Sequence, residues 1–400
     1  MGSDYKNPFG KFNGKEAEYA LRALDSESEE NRGFPWVTEF EDQFCKLSGA
    51  KFAIAVNSAT SGLHAALIAA GVGEGDEVIQ PGLTVIMNSL VTVACGATPV
   101  FADVNPDSWN VDATTIEQKI TEKTKAIMAV SLFGLPLEMD PIMELAAKHN
   151  LLVIDDSAEV ITGHYKNQFP GLRADMAVYS FENKKHMSSG SEGGMIITQN
   201  PDLAEKARKF SGIGYKNLTA TAGRTSLASA EFQNPEYERH DSLGLNYRMN
   251  NITAAVGLGQ LDRISHLVQR RIAIGEMFNR AVEGCDWIIP QEKSPNSSHT
   301  YYTYGVKYEG REQRGVSWKD FYTQYKKMGA NGFYAAWVNP YLEPVFKGKT
   351  FDGILMETGL CPIAEECQKK IMLFKTNHRD LSEASEDAAI LNRLIDEIGR

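Results

Sequence analysis

Positive charge is scarce in this sequence: 41 lysines and arginines face 52 aspartates and glutamates, for a net charge of −11. A chain this acidic lacks the cationic surface that releases counterions from a phosphate backbone, so DNA and RNA are not expected partners. Cysteines are few and scattered. The five, Cys45, Cys95, Cys285, Cys361 and Cys367, form no CxxC pair and have no histidines at metal-ligand spacing. That excludes a disulfide framework and a metal site as organising devices and predicts reduced thiols in the cytoplasm. Long apolar runs are missing as well: the stretch 126–137 is too short to cross a bilayer and contains Gly134 and Pro136. The opening MGSDYKNPFG has no basic region leading into an apolar one, and Lys6 stands where a myristoylation signal requires Ser or Thr. No targeting segment, internal repeat or low-complexity tract is visible.

What is present is the rhythm of an α/β protein. From 51 to 199, short β-branched runs alternate with helical patterns: FAIAV then SGLHAALIAAG, DEVIQP then NSLVTVACG, followed by TPVFADV, KAIMAVSLF and LLVIDDS. This alternation predicts a mostly parallel sheet with crossover helices on both faces, and in such sheets ligands bind at the carboxyl ends of the strands. At 400 residues the chain exceeds what one core usually serves. We expect an N-terminal arm with helices over 1–50, a large domain over 51–282 and a smaller α+β domain over 283–400. Helices are predicted over 14–24, over 250–281 as one long amphipathic element carrying Arg270 and Arg271, and over 382–398.

Three segments carry candidate chemistry. Asn57-Ser58-Ala59-Thr60-Ser61-Gly62 follows an apolar strand and opens a helix, where free backbone N–H groups and hydroxyls can surround a phosphate; an ordinary polar helix cap would read the same way. LLVIDDSAEV ends a strand in Asp155 and Asp156, where a carboxylate beside a bound pyridine ring would keep the ring nitrogen protonated; a capping Asp is the plainer alternative. AVYSFENKKHMSSGSEGG delivers Ser180, then Lys184 and Lys185, then Ser188, Ser189 and the Gly193-Gly194 pair. A lysine there could form an imine with pyridoxal 5'-phosphate (PLP) and serve as the proton-moving base. Either lysine could instead be a solvated surface group.

The segment with the lysines resembles the active-site strand of the DegT/DnrJ/EryC1/StrS aminotransferases, whose pattern is S-F, three residues, K, and later T-T-G-E-G-G. In that register Ser180 is a phosphate ligand and Lys185, not Lys184, is the imine-forming lysine. The resemblance continues in order along the chain. Asn57 to Leu67 resembles the family's phosphate loop, which implies Ser58, Ala59 and Thr60 as cofactor contacts. GDEVIQPGLT is similar to G-D-E-V-I-V-P-x-x-T, and VIDDSAEV to V-I-E-D-A-A-E/Q-A, which implies Asp156 on the pyridine nitrogen and Glu159 near the ring oxygen. LGLNYRMNNITAAVGLGQL is similar to a segment in which the asparagine, here Asn246, reaches the cofactor phosphate of a second subunit. The resemblance thus implies PLP fold type I with a mixed, mostly parallel seven-stranded sheet, a homodimer with shared sites, and PLP (as pyridoxamine 5'-phosphate during turnover) as cofactor. Aromatics near Trp36 and Phe40 would suit an apolar seam between subunits.

There are departures. Val85 stands where the family places an aromatic against the ring, the loop after Lys185 is one residue longer so that Glu192 aligns with the family's Glu, and segments 299–302 and 332–337 match loosely. The implied activity is amino transfer, from glutamate by family habit, to a sugar: a nucleotide-linked 3-keto or 4-keto sugar, or an acidic octulosonate carrying an aldehyde. Competing expectations are a sugar dehydratase, in which a histidine such as His186 would replace the lysine, and a PLP-binding protein without activity. Arg248 is a candidate for the donor's carboxylate, or equally a structural salt-bridge partner; candidate cations for an acidic acceptor are Lys184, His186, Arg224, His240 and Lys375, each of which could equally be a plain surface charge.

Overall fold

The structure, a computed structural model, describes residues 11–25, 34–222 and 229–400. The opening decapeptide and Arg224 lie outside the described residues.

Seven strands form one sheet: β1 (Phe52–Val56), β2 (Glu77–Pro81), β3 (Thr98–Ala102), β4 (Thr124–Val130), β5 (Leu152–Asp156), β6 (Met176–Ser180) and β7 (Gly194–Thr198). Their order is β1-β7-β6-β5-β4-β2-β3, with β7 antiparallel to both neighbours and the other pairings parallel. The fold is therefore the α/β, mostly parallel seven-stranded arrangement expected. Alternation does the sorting: Ile54, Val56, Val78, Met128, Ile154 and Val178 pack against α3 (Ala59–Ala69), α4 (Met87–Ala94) and α6 (Pro201–Ser211). Their neighbours Ala53, Ala55, Ala177 and Tyr179 face α2 (Trp36–Ser48) and α7 (Asn251–Leu261), while Ile79, Ile127 and Val153 face α5 (Met139–His149). Both faces being covered, the strands read as nearly continuous apolar runs. Helix α1 (Lys15–Leu24) lies against α7.

Two expectations fail here. Residues 250–281 form two helices, α7 and α8 (Ile264–Val282), not one. The chain tightens at Asp262 and Arg263, where Arg263 N–H bonds to the carbonyl three residues back, while the two side chains pair with Lys15 and Glu16 of α1. Trp36 and Phe40 do not form a surface seam. They are 3% and 0% exposed, because α2 packs on α7 so closely that a Cβ at Gly257 would lie 2.7 Å from the Phe40 ring.

Beyond α8, β8 (Ile288–Pro290), β9 (Thr303–Tyr308), β10 (Phe333–Ala335) and β11 (Ile371–Lys375) form a four-stranded antiparallel sheet in the order β10-β11-β9-β8. It is backed by α8, α9 (Trp318–Lys327) and α11 (Leu381–Ile398), whose apolar sides share a second core around Phe278, Tyr325 and Phe374. A further helix, α10 (Pro362–Lys370), is capped from the first sheet: Asp103 accepts from the N–H groups of Ile363 (3.0 Å) and Ala364 (2.8 Å).

One ion pair is buried inside the large sheet's flank. Arg208 donates to Glu41 at 3.0 Å and to the carbonyl of Ala53 at 2.9 Å, both side chains being nearly inaccessible. Burial pushes the Glu41 carboxyl up, against the pull of Arg208. Removing one partner of such a pair leaves a buried charge uncompensated. Arg208→Met is expected to lower unfolding free energy by about 3–5 kcal/mol in chemical denaturation; a loss below about 1 kcal/mol would show that the pair does not bear on stability.

Candidate active site

The carboxyl ends of β1, β2, β4, β5 and β6 lie on one edge of the sheet, and the candidate residues collect there. After β1, Ser58 caps α3: its Oγ accepts from Ser61 N–H, while Ser61 Oγ donates to Asn57 Oδ1 at 2.6 Å. Ala59 and Thr60 occupy the first helical turn, where N–H groups have no intrahelical acceptor. Gly194 crosses this turn so tightly that a Cβ there would sit 2.8 Å from Ala59 N, so only glycine permits the approach. The result is a polar helix N-terminus able to receive a phosphate.

At the end of β5, Asp156 is 2% exposed and held at both oxygens: Oδ1 accepts from Ala158 N–H at 3.1 Å and Oδ2 from Asn88 Nδ2 at 3.0 Å. Burial pushes its carboxyl above the ordinary range, and Asn88, the Ala158 N–H and the Lys185 ammonium pull it back in part. Glu159, 5% exposed, accepts from Phe133 N–H at 2.9 Å on Oε2 and meets Lys185 Nζ at 3.4 Å on Oε1. It too is raised by burial and lowered by Lys185. Lys185 Nζ also lies 4.2 Å from the centre of the Tyr302 ring. Burial works against its ammonium form, but Glu159, Tyr302 and Asp156 together hold its pKa above the usual lysine value.

The neighbours of Lys185 do not share this environment. Lys184 is exposed. His186 is buried with Nε2 3.0 Å from the Thr300 carbonyl, and burial together with Arg271 keeps its pKa well below the ordinary imidazole value. The register that separates lysine from histidine is thus fixed by which side chain faces Asp156 and Glu159. Ser180 ends β6 half-buried, its Oγ accepting from Glu182 N–H at 3.3 Å, and Val85 is half-buried in the turn after β2. Ser188 and Ser189 are buried supports of the lysine loop, whereas the Glu192 side chain is exposed.

Asn246 is not with this group. It is exposed on the segment 243–248, which runs beside the phosphate-loop candidate: Asn57 N–H bonds to the Tyr247 carbonyl at 2.8 Å. Arg248 is exposed next to it, and His240 is exposed with Nδ1 2.8 Å from the Ile213 carbonyl. Neither converges on Lys185.

Three contributors were missed by sequence reasoning. Asn88 fixes Asp156; its signal was a polar face, Asn88, Ser89 and Thr92, buried on an otherwise apolar helix. Arg271 is buried and donates to the carbonyls of Lys184 (2.6 Å), Lys185 (3.0 Å) and Tyr302 (2.7 Å). Lys11 donates to the carbonyl of Lys185 at 3.3 Å, and burial with Arg271 nearby lowers its pKa to about 8. The last two act on backbone carbonyls, which no side-chain pattern announces.

The family model described as DegT/DnrJ/EryC1/StrS aminotransferase matches residues 12–379. The chain belongs to that family. It is 38% identical over 298 residues to the GDP-perosamine synthase of Caulobacter vibrioides, covering 74% of this chain and 75% of that one. Among solved structures, an aminotransferase from Psychrobacter cryohalolentis superposes with a TM-score of 0.85 at 28% identity, over 96% of this chain and 97% of that chain. DesV of S. venezuelae, in complex with a ketimine intermediate, gives 0.83 at 25% identity over 99% and 98%. This DegT/DnrJ/EryC1/StrS member is therefore a PLP-dependent sugar aminotransferase. The residues at the sheet edge fit the cofactor: a buried, doubly bonded carboxylate, an amine beside it, and a helix N-terminus narrowed by Gly194.

His299 bears on acid stability. Its Nδ1 accepts from Tyr301 N–H at 2.9 Å, so the ring is neutral with its proton on Nε2, 3.1 Å from Gln291 Oε1. Burial, with Lys293 as a lesser cause, lowers its pKa from 6.5 to about 3. The folded state therefore resists protonation that the unfolded state accepts, so this stability is present above the ordinary value and lost as pH falls from about 6.5 towards 3. The loss is about 1.4 kcal/mol per pH unit within that window. His299→Gln should be less stable at neutral pH yet lose stability less steeply in acid; an unchanged slope of denaturation midpoint against pH would contradict this.

Proposed function

We propose that this aminotransferase moves an amino group from L-glutamate to the carbonyl of a keto or aldehyde sugar in the making of surface polysaccharide or lipopolysaccharide, with Lys185 as the residue that carries the cofactor. The observation that carries this is the placement of one amine, and only one of the two adjacent lysines, against Glu159 and beside Asp156. When bound, PLP supplies an aldehyde that takes up the donor's amine and a ring that withdraws the electrons released at the substrate carbon. Asp156 would hold the ring nitrogen in its protonated form, and Asn88 and the Ala158 N–H keep that carboxylate aimed. Ser58, Ala59, Thr60 and Ser180 would hold the phosphate, Val85 would pack on the ring, and Glu159 would lie near its oxygen. Lys185 Nζ then takes the proton from the donor's α-carbon and, in the second half, returns one to the acceptor carbon. Amine and carbonyl are exchanged between two substrates in a ping-pong sequence with no net oxidation.

The relatives named GDP-perosamine synthase support a nucleotide-linked 3-keto or 4-keto sugar as acceptor. A second acceptor, an aldehyde-bearing octulosonate that would give 8-amino-3,8-dideoxy-manno-octulosonate, is supported by two cations beside the site, Lys184 and Lys375, which make no ion pair among the described residues. We also propose a cytoplasmic homodimer. Asn246 is flanked by exposed Leu243 (92%) and Leu245 (46%) and abuts the phosphate loop, so a second copy covering this surface would complete both sites. The division into domains at 282/283 belongs to the same reading: it is supported by the core around Phe278, Tyr325 and Phe374, which draws on α8 as well, while Ala336, Tyr341 and Leu373 pack into the core of the large sheet.

The test is an absorbance spectrum of the holoenzyme before and after glutamate, with no sugar present. The imine band should bleach while the amine-cofactor band rises. Lys185→Ala should abolish the band and lower transfer by at least 10³-fold, on the order of what loss of a proton-transfer group entails, whereas Lys184→Ala should retain the band and its response to glutamate. The reverse pattern would refute Lys185, and an unresponsive wild type would refute glutamate as donor.

A further inference from the structure

Beside Lys185 opens a cavity of about 740 Å³, whose walls include Lys184, Tyr302, Tyr334, Trp337, Lys375 and Arg379. Its backbone is fixed by buried polar groups. Arg271 Nη1 donates to the Tyr302 carbonyl and to Thr376 Oγ1 (3.2 Å), and Thr376 Oγ1 donates to the Tyr301 carbonyl at 2.6 Å. Arg270, the next residue on α8, donates to the carbonyls of His378 (2.9 Å) and Arg379. His378 Nε2 meets Asp387 Oδ2 at 2.8 Å, and Asp387 accepts from Asn331 N–H (3.0 Å) and Nδ2 (3.1 Å). Thr376, His378, Asp387 and Arg271 are all buried. The adjacent arginines therefore tie the lysine loop on one wall to residues 376–379 on the other.

On this rigid frame the charged ends are uncommitted. Lys184, Lys375 and Arg379 make no ion pair among the described residues, and Lys375 Nζ lies 5.4 Å over the Tyr334 ring. Glu383 is the one carboxylate among the lining residues. On a chain of net charge −11, three unpaired cations around one cavity are a local reversal of sign. A preorganised wall with free cationic ends is what recognition of an anion requires, the arginine offering a bidentate fork and the lysines point charges.

We propose that this cavity is the subsite for the anionic end of the acceptor, a phosphate or carboxylate group held by Lys184, Lys375 and Arg379 while Tyr334 and Trp337 flank the sugar. The inference rests on the amino-transfer reading and specifies where that reaction's acceptor is gripped. Its test is calorimetric titration of the holoenzyme with inorganic pyrophosphate and, separately, with 3-deoxy-manno-octulosonate. One of the two should bind, pyrophosphate marking a phosphate group and the octulosonate a carboxylate. Lys375→Met/Arg379→Met should weaken that binding at least tenfold, and Lys184→Met, at an exposed position, should weaken it several-fold, with the cofactor spectrum unchanged. Unaltered affinity in the double variant, or no binding of either probe to wild type, would overturn the proposal. A rise in the glutamate requirement of the donor half-reaction would overturn it too, by giving the cavity to the donor. Failure of the amino-transfer reading registers elsewhere, as a wild-type spectrum that glutamate does not change.

Discussion

Two buried carboxylates and one amine have to be satisfied together at the edge of the large sheet, and the surroundings are arranged around that constraint. Asp156 and Glu159 each lie in apolar surroundings that favour their neutral forms. A charge so placed persists only when it is paired and hydrogen-bonded. Asn88 and the Ala158 N–H serve Asp156, Phe133 N–H and Lys185 serve Glu159, and Lys185 gains from both. The backbone that delivers Lys185 is held in turn by Arg271, which also holds the carbonyl of Tyr302, whose ring lies against the amine. The sheet supplies the remaining precision, because β5 and β6 are neighbours and their carboxyl ends emerge side by side.

Much of this was legible in the sequence, for physical reasons. Short, nearly continuous apolar runs marked the strands of the large sheet because both of its faces are buried, and the family resemblance carried the register that separated Lys185 from Lys184. The structure adds a physical counterpart: the side chain one residue on, His186, is turned away to the Thr300 carbonyl and kept neutral. Less legible were features that arise only when distant segments meet. The break between α7 and α8 depends on α1 pairing with Asp262 and Arg263. Trp36 and Phe40 suited an exposed seam until Tyr19 and Phe34 packed on the one and Gly257 allowed α7 to close over the other. Arg271 reads as one more charge on an amphipathic helix, and its partners are carbonyls, which leave no trace in side-chain patterns.

The candidate cations illustrate the same distinction. His186, His240, Arg248, Lys184 and Lys375 were equivalent as residue types, yet His186 is buried and neutral, His240 bonds to a backbone carbonyl, and Arg248 lies apart. Lys184 and Lys375 come to one cavity, joined by Arg379, because α8 binds both the lysine loop and the segment 376–379 that follows Lys375 at the end of β11. Charge is therefore positioned by backbone clamps here, and the acidic bulk of the chain makes the exception conspicuous.

The account stands or falls on which amine carries the cofactor. Borohydride reduction of the PLP-loaded enzyme, followed by proteolysis and mass mapping of the pyridoxyl group, reads this without reference to any substrate. The account predicts a single label on Lys185. A label on Lys184 or Lys11, or no label in a preparation that retains PLP, would contradict it.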